Sequence, residues 1–86
     1  MSSERIYVDG ELFLRLETVA EIYRVRVEWL GEACDRGLVA HATPGGSTRC
    51  IAAVELDRVA TLVRLHLGLG LDLRRIAREW AAREDD

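Results

Sequence analysis

The sequence predicts a mainly α fold: about four helices, a small N-terminal strand or hairpin, and a β wing between the second and third helices. Three observations predict it. Apolar residues recur at helical spacing in four stretches separated by breakers. An Asp9-Gly10 pair splits two short apolar runs near the start. Thr43-Pro44-Gly45-Gly46-Ser47 splits two further extended runs in the middle.

Ile6-Tyr7-Val8 and Leu12-Phe13-Leu14 flank Asp9-Gly10, a pair that tolerates the positive φ of a tight hairpin turn. From Leu16 the period lengthens. Leu16, Val19, Ala20 and Tyr23 fall at i, i+3, i+4 and i+7, the stripe of one helix face, and predict a first helix over 16–23. Arg24-Val25 breaks the pattern. Val27, Leu30 and Cys34 then share one face of a second helix that ends at Gly37, a residue suited to the left-handed cap position. Two short helices about a tight connection predict a helix-turn-helix over about 16–37. The runs on either side of the Pro-Gly-Gly loop predict a wing over about 38–51. A third helix is expected over about 53–67, with Leu56, Val59, Ala60, Val63 and Leu67 as one apolar stripe. After Gly68 and Gly70, Asp72 is a natural N-cap for a fourth helix over about 72–83, with Leu73, Ile76, Ala77 and Trp80 toward the core. Glu84, Asp85 and Asp86 read as a frayed acidic tail, and residues 1–86 as one domain.

Composition narrows the function. With 86 residues, 49% hydrophobic and 31% charged, the chain is a small globular domain with little room for a catalytic cleft beside its core. No Ser-His-Asp set or phosphate loop is present, and Gly68-Leu69-Gly70 lacks the third glycine and preceding strand of a dinucleotide site. His41 and His66 have no second ligand at i+3 or i+4. The expectation is therefore a protein that is not an enzyme, with no catalytic residues, no cofactor and no metal. Cys34 and Cys50, without a CxxC, read as reduced thiols used as small buried hydrophobes. With no secretory leader pattern and no membrane-spanning apolar run, a cytoplasmic location away from membranes is expected. Twelve basic residues, all Arg, stand against fifteen acidic ones. The net charge of −3 has the wrong sign for a domain that holds nucleic acid by displacing counterions.

The order of elements, Val19-Ala20 in the first helix, Gly37-Leu38-Val39 leaving the second, Arg49 in the wing and Gly70-Leu71-Asp72-Leu73 before the fourth resemble the N-terminal winged helix-turn-helix of the MerR family. Regulators of that family carry a basic second helix, with two adjacent Arg near its start and an Arg-Tyr pair a turn later. The matching positions here are Val27, Glu28, Gly31 and Glu32, so the groove-reading face is inverted in charge. Residues 1–46 hold eight acidic and five basic residues, whereas 47–86 hold seven of each, which puts the negative excess in the half that would enter DNA. A truncated, acidic MerR-like chain ending soon after its fourth helix is similar to the CbpM family of chaperone modulators. That resemblance implies a partner: the J-domain of a DnaJ/CbpA-type co-chaperone, whose action on DnaK such proteins restrain.

The residues support a protein partner independently. Glu28, Glu32 and Asp35 fall at i, i+4 and i+7, and Trp29 lies beside that row, so an aromatic is set within a charged rim. J-domains present a basic helix, to which such a row is complementary. Glu28, Trp29, Glu32 and Asp35 are the candidate partner-binding residues. The alternative is a MerR-type or excisionase-like DNA-binding regulator using Arg24, Arg26 and Arg49. A third possibility is an assembly factor bridging DnaK and its co-chaperone. Arg49 is also suited to an ordinary surface ion pair, and Arg74, Arg75 and Arg78 to local pairs with Asp72 and Glu79. Self-association is open to the strand at 12–14 or to the wing edge, so a homodimer is a further partner state.

Overall fold

A computed structural model describes residues 5–46 and 48–84. Two antiparallel strands open it, β1 (Arg5–Val8) and β2 (Glu11–Arg15). Asp9 and Gly10 both have positive φ, 53° and 81°, the requirement of the type I′ turn whose twist matches paired strands. Helices α1 (Leu16–Tyr23) and α2 (Val27–Asp35) follow, then the short strands β3 (His41–Ala42) and β4 (Cys50–Ala52). Helix α3 (Leu56–Val63) runs from a 3-10 turn at Ala53–Glu55 into a π-helical turn at Arg64–Gly68, and α4 (Leu73–Glu84) completes the chain.

The two hairpins are not separate. β4 pairs with β3 on one side and β2 on the other, giving a single four-stranded antiparallel sheet of order β1-β2-β4-β3. Leu12–Leu14 therefore lie in an interior strand, and the sheet edges are β1 and β3. Leu14 and Ile51 face each other in the row that joins the helical core, while Phe13, Cys50 and Ala52 form a second small cluster with Ile6, Val8 and Ala42. The N–H of Leu16 donates to the carbonyl of Arg49 at 3.0 Å, which fixes the start of α1 against the chain entering β4.

Both helices of the pair end in the same way. After α2, Gly37 takes φ 77°, its N–H donates to the Cys34 carbonyl, and the N–H of Leu38 reaches back to Ala33, both at 3.0 Å. That is a Schellman cap, and it turns Leu38 and Val39 into the core. After α1, Arg24 occupies the equivalent position at φ 58°, with Arg24 N–H on the Glu21 carbonyl (3.2 Å) and Val25 N–H on that of Ala20 (3.0 Å). Here a side chain sits where glycine would be unstrained. The Tyr23 hydroxyl donates to the Leu56 carbonyl at 3.2 Å, tying the end of α1 to the start of α3. Asp72 caps α4 as its type predicts, its Oδ1 accepting the Arg75 N–H at 2.8 Å.

Val19, Leu30, Val39, Ile51, Val59, Leu62 and Ile76 form the fully buried centre, one or more from each helix. Two apolar residues depart from the expected pattern. Leu67 was expected in the α3 stripe, yet it is 63% exposed, because the π-helical turn shifts the register of every residue after Val63. Trp80 is half-buried at the core's edge, with the Arg58 guanidinium 4.9 Å from its ring centroid. Glu84 continues α4 instead of fraying from it, and Asp85 and Asp86 lie outside the described residues. No helix among the described residues is long and apolar enough to cross a membrane.

Candidate partner-binding groove along the second helix

The inward side of α2 is fixed by Leu30, Ala33 and Cys34, all buried, which turns Glu28 and Glu32 outward and leaves Trp29 half-buried between them. Trp29 stacks on His66 of the π-helical turn, with ring centroids 4.7 Å apart and planes 25° from parallel. The stack forms the wall of an open groove of about 430 Å³. Val25 and Leu67 add apolar surface, Glu28 and Glu32 an acidic rim, and Arg24 and Arg26 a basic one. A second depression of about 350 Å³ shares Trp29, Glu32 and His66 and extends toward Arg36, Asp72 and Arg74 at the start of α4.

Three of the four residues singled out for partner binding thus meet in one place. Asp35 does not. At 3.6 residues per turn it lies about 60° round the helix from Glu32, toward Arg49 at the start of β4. There it pairs with Arg49, whose Nη2 is 3.1 Å from Asp35 Oδ1 while Nη1 donates to the Gly31 carbonyl at 3.1 Å. The acidic row is therefore split. Arg49 acts as a clamp between the chain entering β4 and α2, and the pair is partly exposed, so its contribution is modest, about 1 kcal/mol or less. Glu32 is held by Arg36, whose Nε donates at 2.9 Å, a helix i,i+4 pair. Arg74, Arg75 and Arg78 are exposed, and among the described residues no ion pair joins them to Asp72 or Glu79, because Asp72 is turned to the backbone as a cap.

Sequence reasoning missed His66 and Leu67 as groove residues. A lone histidine offers no spacing signal, and its place beside Trp29 depends on the π-helical turn. Its Nδ1 lies 3.0 Å from the Leu71 carbonyl, which sets the ring against the chain that leads into α4. Trp29 Nε1 is buried and has no hydrogen-bond acceptor. Among the described residues no three His, Cys, Asp or Glu side chains converge as a metal site.

Cys34 and Cys50 are free and buried. Burial pushes the Cys34 thiol above its ordinary range, against the opposing pull of Arg49, and burial likewise raises Cys50. A raised thiol pKa favours the neutral folded form. Its stabilisation is full below the unfolded-chain thiol pKa of about 8.5 and is lost as pH rises past that value toward the folded one. Two results are expected: both thiols label with a disulfide reagent only at the rate of global unfolding, and the urea midpoint declines above about pH 8.5. Rapid labelling of either thiol in native buffer would contradict the buried assignment.

No family model, curated protein or solved structure matches the chain.

Proposed function

We propose that the chain is a MerR-like winged helix-turn-helix domain that works as a small, non-enzymatic modulator in the cytoplasm. It binds the J-domain of a DnaJ/CbpA-type co-chaperone along α2 and restrains its action on DnaK by covering the surface that DnaK needs. The observation that carries this reading is the meeting of Glu28, Trp29 and Glu32 in one groove, an aromatic anchor inside a carboxylate rim. The resemblance to the CbpM family supplies the identity of the partner. The DNA-binding alternative is less well supported: Glu28 and Glu32 would face phosphates, and the Arg49 guanidinium is engaged by Gly31 and Asp35.

The test is calorimetric titration with an isolated J-domain at moderate salt. Glu28→Arg with Glu32→Arg is expected to weaken binding at least about tenfold, which is about 1.4 kcal/mol. Both residues are exposed, so the helical signal and melting temperature should hold. Full affinity in the double variant would move the interface off α2. Duplex DNA serves as the control ligand, and binding that falls steeply with salt would favour the DNA-binding alternative.

A further inference from the structure

The groove is not uniformly acidic. Arg24 and Arg26 line it immediately before α2, while Glu28 and Glu32 line it along the first two turns. Arg26 precedes Glu28 by only two residues and all four side chains line the same groove, so its basic and acidic halves adjoin. A segment carrying only positive charge would gain at one half and be repelled at the other.

Arg24 carries a second, independent signal. It holds the left-handed cap position at φ 58°, whereas the equivalent position after α2 is glycine. A non-glycine residue there is strained, and strain of this kind gathers where a side chain is used. Among the described residues no ion pair or side-chain hydrogen bond engages Arg24 or Arg26. Both are exposed at the rim.

We propose that the groove is a polarised docking surface for an amphipathic helical segment of the J-domain partner, read in one direction. The segment lays its apolar stripe on Trp29 and Leu67, sets basic side chains over Glu28 and Glu32, and presents a carboxylate to Arg24 and Arg26. This rests on the reading of the groove as a J-domain site and adds the recognition of a negative charge, with the direction in which the helix lies. Charge order along the groove fixes that direction, because reversing the helix would place like charges together at both ends.

The experiment compares three full-length proteins against the isolated J-domain: wild type, Arg24→Glu with Arg26→Glu, and Arg24→Gly. The charge-reversed pair is expected to bind at least about tenfold more weakly. Simple attraction between an acidic face and a basic helix predicts the opposite sign, a tighter complex, since two positive charges beside a basic partner have been removed. Arg24→Gly relieves the left-handed backbone while deleting the guanidinium, so its melting temperature should equal or exceed that of wild type while its affinity falls. That combination would not arise if Arg24 served only the fold. Unchanged or tighter binding by the charge-reversed pair, with wild-type binding intact, overturns the polarised site and leaves the J-domain reading standing. Absence of wild-type binding overturns both.

Discussion

Leu30→Ala is expected to cost about 2–5 kcal/mol of folding stability, the range for truncating a fully buried leucine whose cavity only partly collapses. Leu30 has no exposed surface and belongs to the cluster that joins α1, α2, α3, α4 and the sheet. Val19, Val59, Leu62 and Ile76 in the same cluster are each no more than 1% exposed, so nothing nearby is free to fill the space. Domains of this size have about 5–15 kcal/mol in total, so the loss is a large share of the whole. A fall in melting temperature of about 10 °C or more should follow, at roughly 4–8 °C per kcal/mol. Urea denaturation checks it: the midpoint should drop with little change in slope. A loss under about 1 kcal/mol would mean that α2 does not bury this face, and Glu28 and Glu32 would then lose their outward placement.

How far the sequence reveals this arrangement depends on the range of the interactions involved. Asp9-Gly10, the 16–23 stripe, the Gly37 cap and the Asp72 cap are local signals, each decided by φ, period or one side chain within a few residues, and each is found where the sequence places it. The joining of the two hairpins is not local. Phe13 pairs with Ala52 from a distant part of the sequence, beyond α1, α2 and β3, and period-two alternation tells which face a residue takes but not which strand lies beside it. The π-helical turn is equally hidden, since one extra residue per turn leaves no mark in a run such as Leu65-His66-Leu67. The candidate groove inherits both conditions. Glu28, Trp29 and Glu32 are legible from α2 alone, and His66 and Leu67 enter only through the displaced register after Val63.

Asp35 makes the same point from the opposite direction. Spacing by i, i+4 and i+7 is a statement about one helix taken alone, and it aligns Asp35 with Glu28 to within about 20°. The sheet then decides the outcome, because Arg49 approaches from β4's side and claims Asp35 and the Gly31 carbonyl together. A residue that satisfies the helical pattern is thereby assigned to holding the fold, while Arg24 and Arg26, which stand outside the helix, become part of the groove.

Trp29→Ala is expected to weaken J-domain binding by about 30-fold or more, the equivalent of roughly 2 kcal/mol for a central aromatic anchor. Trp29, with Glu32 and His66, lines both depressions, so its side chain offers its surface to any segment lying along α2. Part of the effect of an alanine substitution would come from the fold itself, through loss of the stack on His66, worth about 0.5–1.5 kcal/mol. Trp29→Phe separates the two contributions. Phenylalanine keeps an aromatic ring against His66 and removes the buried indole N–H that has no acceptor, so stability should be retained or rise. If the ring's apolar face is the anchor, the Phe variant should also keep most of the affinity while the Ala variant loses it at unchanged helical content. Equal affinity for wild type, Phe and Ala would assign Trp29 to packing alone, and the J-domain surface would then have to be sought outside the groove.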